Sequence, residues 1–266
     1  MKDTQDRRPK VGGDLERVGI TNLKTMIQTT WKGRSYRFTP KVEITIDLDR
    51  KRKGVHMSRL VEAIAEAVEE EADRTHSSIE GLGRSILERL GLRHPYRRGE
   101  VRMSMDFMTE RRTPVTGKKT MEAHDVEVSV SKDGGRYGKR LKVSVLGSTV
   151  CPHSMEAAGK PHIQRAIGEL EVSSDYGRKI ALEDMVVCVE ESFSSEAYTL
   201  LKTEDETYVV DKMYANPKFV EDVAREIIHN AKKRFRGCRI RSKVISQESI
   251  HRHDVIAEGS ADSLSR

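Results

Sequence analysis

The chain has 266 residues, of which 36% are hydrophobic and 34% charged, and it carries a formal net charge of +6 at pH 7. This composition indicates a globular protein with a charged surface, and no apolar run approaches the ~20 residues that cross a bilayer, which argues against a membrane protein. Aromatic residues make up only 5% and do not interleave the basic residues, so the positive charge fits a smaller polyanion such as a nucleotide better than a nucleic acid.

Two further features bear on the cellular compartment. The N-terminal MKDTQDRRPK is polar and lacks the apolar segment of a secretory signal. The cysteines, Cys151, Cys188 and Cys238, are odd in number and far apart in the chain, which argues against a disulfide framework. We therefore expect a reducing environment and a cytoplasmic protein.

Hydrophobic periodicity predicts the elements of the N-terminal half. KVEITIDLD at residues 41–49 alternates strictly between apolar and polar side chains, as in a strand with one buried face. From Ser58 the apolar residues recur at helical spacing. In chain order, the prediction is a tail at 1–16, a strand at 41–49, helices from Ser58 and at 77–91, and strands at 101–108 and 124–130.

A glycine-rich turn, SKDGGRYG, precedes a second run of similar elements. The predicted strands there lie at 141–147, 166–173, 207–210 and 239–246, and the predicted helices at 154–160, 181–192 and 217–235. Half-exposed alternation is typical of antiparallel sheets with one wet face. We therefore predict an α+β fold with two modules, each an antiparallel sheet with helices, at 17–135 and 136–256, followed by a tail at 257–266.

One candidate site lies in STVCPHSMEAAGKPHIQR, where Cys151 ends an apolar run and His153 and His162 follow. A thiolate and imidazoles suit Zn²⁺ or Fe²⁺, but no second cysteine lies nearby for a closed zinc-finger site. An open catalytic site needs only about three protein ligands, which can come from distant segments. The alternative is a buried cysteine beside two surface histidines, and this stretch alone favours that alternative.

A second candidate is ESIHRHDV, which places His251 and His253 between two acidic residues. Such a segment can supply a metal ligand and a group that orients it. The two histidines are separated by one residue, and we do not expect both of them to bind one ion. The alternative is an exposed polar tail.

Two glutamates are further candidates. Glu206 lies where an acidic turn meets the predicted strand at 207–210, and Glu221 lies beside the apolar stripe of the helix at 217–235. A carboxylate at Glu221 can accept two N–H bonds from the edge of a guanine or a pterin. The alternative is an ordinary solvated helix glutamate, which is the commoner case.

The last candidate is KGVHMSR at 53–59, at a strand-to-helix junction. Backbone N–H groups at a helix start, together with His56, Ser58 and Arg59, can bind phosphate. The alternative is a loop that caps a helix. The chain has neither a P-loop nor a G-x-G-x-x-G turn, which argues against ordinary P-loop or Rossmann nucleotide binding.

Together these motifs resemble the GTP cyclohydrolase IB family over nearly the whole chain. They are, in order, VGITNL (18–23), KGVHMSR (53–59), CPHS with the following H-x-QR (151–165), the acidic segment leading to FVED (203–222) and ESIHRHD (248–254). The opening DTQDRRPK leans toward the archaeal, MptA-type branch. The resemblance implies a tunnelling fold (T-fold) with two modules per chain, and a barrel completed by oligomerisation as a homodimer or homotetramer.

The resemblance also implies an activity and roles for single residues. The implied reaction opens the imidazole ring of GTP at C8, releases formate and forms 7,8-dihydroneopterin 2′,3′-cyclic phosphate for methanopterin biosynthesis. Cys151, Glu206 and His251 would bind Fe²⁺, with Mn²⁺ or Zn²⁺ as alternatives. His162 would act with Cys151 in catalysis by protonating a ring nitrogen, Glu221 would bind the guanine edge, and His56, Ser58 and Arg59 would lie on the phosphate side.

Two other functions are compatible with the same motifs. One is the bacterial-type reaction, which gives 7,8-dihydroneopterin triphosphate for folate-type cofactors, and the other is a non-catalytic relative that binds a pterin or nucleotide. The family commonly has a second cysteine where this chain has His153. A ligand role at that position would shift the metal preference toward ions that favour nitrogen. Of the two histidines in ESIHRHD, we interpret His251, and not His253, as the metal ligand.

Overall fold

The structure is a computed structural model, and it describes residues 3–31, 34–72 and 78–262. Residues 1–2, 77 and 263–266, which belong to predicted elements, lie outside the described residues. No helix in the described part of the chain is long and apolar enough to cross a membrane. The described residues divide into two compact units, to which three strands of 15 residues each contribute.

The first unit comprises the described residues up to Met105 together with Glu127–Arg140 and Asp175–Gly177. Its elements are β1 (Leu15–Lys24), β2 (Ile27–Trp31), β3 (Arg34–Phe38), β4 (Lys41–Leu48), α1 (Met57–Ala72), α2 (Ile79–Arg93) and parts of β5 (Arg98–Arg112), β6 (Lys119–Asp133) and β7 (Arg136–Val150). The strand order is β1-β4-β5-β6-β7, and β2 pairs with β3 separately. Strand β4 buries every second residue, so Val42, Ile44 and Ile46 pack against apolar residues of α1 and α2.

The second unit comprises Asp106–Val126, Leu141–Ser174 and the described residues from Arg178 onward. It contains the remaining parts of β5, β6 and β7, followed by α3 (Pro152–Ala158), β8 (Ile163–Asp175), α4 (Leu182–Glu190), β9 (Ser195–Glu196), α5 (Thr203–Ala215), α6 (Val220–Arg234), β10 (Arg239–Gln247) and β11 (Val255–Asp262). The strand order is β5-β6-β7-β8-β10-β11, with β9 paired to β7.

The core of this second unit leaves no room for a side chain at one point of β7. A Cβ added to Gly147 would lie 2.2 Å from Cδ2 of Phe193, whose own side chain is fully buried. Gly147 therefore allows the Phe193 ring to pack directly on the strand. This contact lies three residues before the end of β7, where the candidate site begins.

The predicted fold class is wrong in its architecture. We predicted a tunnelling fold with a separate sheet in each module and a barrel completed by oligomerisation, whereas the described residues form one mostly antiparallel sheet of nine strands with six α-helices. The error arises at β5, β6 and β7, of which the sequence marked only short stretches. Both compact units contain residues from each side of the predicted boundary at 135 and 136, and that domain division stays a prediction.

Two predicted elements have another structure. The predicted strand at 207–210 is wrong, because these residues belong to α5, which buries Asp205 and Val209 one helical turn apart. Residues 257–262, predicted as tail, lie in β11 and pair with β10. The strand at 41–49 and the helix at 217–235 are confirmed by β4 and α6.

Candidate active site

Cys151 follows the last residue of β7 and caps the N-terminus of α3, where its Sγ accepts a hydrogen bond from the Ser154 N–H at 3.5 Å. Pro152 at the first helical position fixes the turn between strand and helix. The thiol is free and half-buried, whereas Cys188 and Cys238 are buried. Burial raises the pKa of Cys188 to about 11. Cys151 is therefore the cysteine best placed to meet a ligand.

His162 lies beside Cys151, whose backbone N–H donates to the His162 carbonyl at 3.2 Å. The His162 ring contacts Gln164, with 2.9 Å between Nδ1 and Oε1. The Gln164 amide nitrogen in turn donates to Glu248 Oε1 at 3.2 Å. Because that amide donates its N–H to a carboxylate, its oxygen faces His162, and the Nδ1 atom must carry the hydrogen. The lone pair of the neutral ring is then on Nε2, available to a proton or another ligand.

Gln164 and Glu248 were not among the predicted site residues. Both are largely buried, with 9% of Gln164 and 8% of the Glu248 side chain exposed. The sequence held a signal for Gln164, since residues two apart at the start of a strand share a face. Glu248, one of the acidic residues of ESIHRHDV, accepts from the Gln164 amide. The expectation that this segment supplies a metal ligand and a group that orients it stays a prediction.

His251 and His253 lie in the connection between β10 and β11. Their rings stack with centroids 5.2 Å apart, and the centroid of His251 is 6.5 Å from that of His162. These residues are not in a strand, so the alternation of strand side chains does not apply to them. The expectation that they do not both bind one ion stays a prediction. Both are exposed, and the choice between them as a ligand stays a prediction. His153 is also exposed, in the first turn of α3.

Glu206 and Glu221 lie in the first turns of α5 and α6 and are exposed. The start of α6 lies near Cys151 along the backbone, because Lys218 forms a β-bridge with Val150. Among the described residues, no group of ligand atoms lying within 4.8 Å of one another contains Cys151, Glu206 and His251. The structure thus brings Cys151, His162 and His251 to one region. Glu206 and Glu221 are not part of this group of neighbouring residues.

Asp205 determines where α5 begins and was missed by sequence reasoning. Its buried carboxylate accepts hydrogen bonds from the N–H groups of Val115 and Thr116 at 2.9 Å each, from the Thr116 hydroxyl at 2.6 Å and from the Lys202 N–H at 3.1 Å. Burial opposes ionisation of Asp205, but these hydrogen bonds hold its pKa well below the usual range. Asp205 thereby ties the helix that carries Glu206 to the turn between β5 and β6.

His56, Ser58 and Arg59 belong to the first compact unit. His56 precedes α1 and is buried, whereas Ser58 is exposed in the first turn of that helix. The Arg59 guanidinium donates to the Arg93 carbonyl at 3.2 Å. Their role on the phosphate side stays a prediction.

A cavity of about 300 Å³ in the second unit contains none of the predicted site residues. It is lined by charged side chains that include Arg111, Glu190 and Lys212. The Glu190 side chain is 12% exposed and pairs with Arg111. Burial raises the pKa of Glu190 to about 7, and the opposing effect of Arg111 is smaller.

This raised pKa predicts a pH-dependent stability. Because the folded pKa lies above the value of 4.5 for a free glutamate, the folded state holds more protons between these pH values, and its stability falls as pH rises through 7. The difference corresponds to about 3 kcal/mol. We expect the Glu190→Gln variant to lose this part of the pH dependence, measured by urea unfolding from pH 4.5 to 8. Glu191→Gln, an exposed neighbour paired with Arg234, should keep it. Equal slopes for Glu190→Gln and the wild type would contradict the assignment.

Comparison with known proteins indicates the same family as the sequence motifs. A family model described as type I GTP cyclohydrolase folE2 matches residues 1–257. The chain belongs to this family. The GTP cyclohydrolase MptA of Pyrococcus abyssi is 55% identical over 261 residues, covering 96% of this chain and 98% of the relative. That of Thermococcus kodakarensis is 54% identical over 262 residues with the same coverage. The predicted membership of the GTP cyclohydrolase family, in its archaeal MptA-type branch, is confirmed.

Solved structures resemble the chain in fold. The uricase from Arthrobacter globiformis matches with a TM-score of 0.59 at 8% identity, covering 96% of this chain and 95% of that protein. A highly active mutant of Bacillus sp. TB-90 urate oxidase matches with a TM-score of 0.52 at 8% identity, covering 93% of this chain and 100% of that protein. At such low identity the likeness concerns the fold alone, so this member of the GTP cyclohydrolase family has a uricase-like fold.

Proposed function

We propose that this chain is a metal-dependent GTP cyclohydrolase of the archaeal type. In the proposed reaction it opens the imidazole ring of GTP at C8 and releases C8 as formate. Two of the three phosphates leave as diphosphate, and the product is 7,8-dihydroneopterin 2′,3′-cyclic phosphate for methanopterin biosynthesis. The observation that carries the proposal is the backbone contact between His162, whose Nδ1 is held by Gln164, and Cys151, whose thiol is free. Membership of the folE2 family supports it.

The proposed metal ligands are Cys151, Glu206 and His251. A thiolate, a carboxylate and an imidazole suit a borderline ion such as Fe²⁺, with Mn²⁺ or Zn²⁺ as alternatives, and three protein ligands leave a position open. When bound, such an ion lowers the pKa of a water molecule toward ~7 and so supplies a nucleophile for C8. The three groups are half-buried or exposed, and forming the centre requires them to approach one another more closely than in this structure.

His162 is the proposed proton-transfer residue. Its Nδ1 hydrogen is held by Gln164, so Nε2 is the atom that takes up a proton and delivers it to the ring nitrogen as the C8–N bond breaks. Glu248 Oε2 lies 4.0 Å from Nδ1. Glu248 therefore faces the same side of the ring as Gln164, and Nε2 is the nitrogen left for the substrate.

Glu221 is the proposed guanine-binding residue. The guanine edge presents two N–H groups side by side, and one carboxylate can accept both. An exposed carboxylate in the first turn of α6 is open to a ligand. A net charge of +6 favours the approach of a triphosphate. We propose in addition that the enzyme is a homodimer or homotetramer located in the cytoplasm.

The proposal is tested by anaerobic incubation of the purified chain with GTP and Fe²⁺, Mn²⁺ or Zn²⁺ in separate reactions. We expect metal-dependent release of formate and a product that becomes fluorescent on oxidation and whose mass corresponds to one phosphate. A product with three phosphates would contradict the cyclic-phosphate assignment and support the bacterial-type reaction. Absence of formate with all three metals would overturn the enzymatic proposal and support a non-catalytic binding protein.

A further inference from the structure

Two carboxylates flank a buried histidine in the first compact unit, which contains none of the residues proposed to act on the guanine ring. The distance from His56 Nε2 to Asp6 Oδ2 is 3.7 Å, and that from His56 Nδ1 to Asp3 Oδ2 is 3.9 Å. One ligand atom from each of the three residues lies within 4.8 Å of the other two. Two negative carboxylates at this histidine would repel a phosphate, so the cluster fits a cation better than the predicted phosphate role of His56.

The histidine itself indicates a missing partner. His56 is only 9% exposed, and its buried Nε2 has no hydrogen-bond partner among the described residues. A buried ring nitrogen without a hydrogen-bond partner destabilises the folded state, and a ligand on that nitrogen would remove this cost. The His94 ring, 6.3 Å away between centroids, is too distant to supply a hydrogen bond. The unsatisfied Nε2 therefore lies 3.7 Å from Asp6 Oδ2 without a hydrogen-bond partner among the described residues.

The backbone holds the aspartates in place independently of the histidine. Asp3 and Asp6 flank a short 3₁₀ turn, Thr4–Asp6. The Lys53 N–H donates to the carbonyls of Gln5 at 2.9 Å and Arg7 at 2.8 Å, and the Gly54 N–H donates to Gln5 at 3.2 Å. The N-terminal turn is thus bound to the loop between β4 and α1. The three side chains therefore do not need to order a mobile segment in order to meet.

We propose that Asp3, Asp6 and His56 bind a divalent transition-metal ion that fastens the N-terminal turn to the loop between β4 and α1. One imidazole nitrogen and two carboxylate oxygens suit ions such as Mn²⁺ or Zn²⁺. Metal–ligand bonds of about 2.0–2.2 Å place neighbouring ligand atoms about 3 Å apart. The three ligand atoms lie within 4.8 Å of one another, so they need to close by at most about 2 Å. The site is structural, and it does not depend on the proposed GTP chemistry.

The test compares metal binding by the full-length wild type with that of a variant carrying Asp3→Asn and Asp6→Asn. Both side chains are largely exposed, at 64% and 40%, so the double substitution should leave the fold intact. With Mn²⁺ as the probe and electron paramagnetic resonance as the readout, we expect the variant to bind one ion fewer per chain. Asp14→Asn is the matched control, because an amide oxygen can still accept from the Arg50 N–H as Asp14 does, and it should bind as many ions as the wild type.

A second readout follows the N-terminal segment. Trypsin can cleave after the exposed Arg7 and Lys10, and Mn²⁺ should slow this cleavage about tenfold in the wild type and in Asp14→Asn but not in the double variant. Equal Mn²⁺ counts in all three proteins would overturn the proposal. Protection that follows pH but not Mn²⁺ would also overturn it, since a protonated His56 between the aspartates would then account for the cluster. The Asp6→Asn single variant serves as a second test if the double variant does not fold.

Discussion

Replacing Cys151 with serine is expected to reduce GTP-dependent formate release about 1,000-fold or more. Serine is a poor ligand for a borderline metal ion, so the change removes a Lewis-acid contribution of several kcal/mol, and each 1.36 kcal/mol corresponds to a tenfold change in rate. The measurement is formate release under anaerobic conditions with saturating Fe²⁺, together with the iron content of the protein. Rate and iron content should fall together if Cys151 is a ligand.

The matched control is Cys238→Ser, which makes the same chemical change at a buried cysteine just before β10. This variant should lose stability, since it buries a hydroxyl, which is more polar than a thiol, but it should retain formate release at a temperature where it is folded. Retained formate release by Cys151→Ser would show that the proposed site is wrong even if the enzyme activity is real.

The second large effect is expected for Glu221→Gln, which should lower kcat/KM for GTP about 10- to 100-fold. An amide oxygen accepts hydrogen bonds without the negative charge of a carboxylate, and a hydrogen bond to a charged group contributes about 1.5–3 kcal/mol. The same variant should discriminate less between GTP and inosine triphosphate, which lacks the guanine amino group. Initial rates with both nucleotides provide the measurement.

Glu204→Gln is the control for this prediction. Glu204 is the second residue of α5, as Glu221 is of α6, and both are exposed. Removing a carboxylate from the same helical position should leave the preference for GTP over inosine triphosphate unchanged. An unchanged preference in Glu221→Gln as well would assign guanine recognition to another residue.

The local pattern of apolar and polar residues was sufficient to predict a strand or helix that buries one regular face. Strand β4 alternates between buried and partly exposed residues as its sequence does, and α6 buries the apolar stripe read from its spacing. The pattern was insufficient at β1, whose residues are exposed or half-buried and whose pairing with β4 has two register irregularities. An edge strand of this kind lacks the alternation that marks a half-buried strand.

Helix α5 shows a second limit of predicting secondary structure from local sequence. Its TYVV segment is rich in residues that favour strands, yet Asp205, just before it, accepts four hydrogen bonds, three of them from the turn between β5 and β6 and one from the Lys202 N–H. That contact joins residues about 90 positions apart in the chain, so no local window contains it. The buried carboxylate and its donors stabilise a helix start that propensity alone would not predict.

The sequence by itself determined the family of this protein, because ordered motifs such as CPHS and ESIHRHD retain their identity and spacing without reference to any contact. It also identified Cys151 and His162 as the candidate catalytic residues. Only the tertiary structure decided which nitrogen of His162 carries the hydrogen, since Gln164 is oriented by Glu248 from 84 residues away. Only the tertiary structure placed Asp3 and Asp6 beside His56. Hydrogen bonds and buried charges depend on distance in space, and spacing along the chain does not encode that distance for segments that meet only after folding.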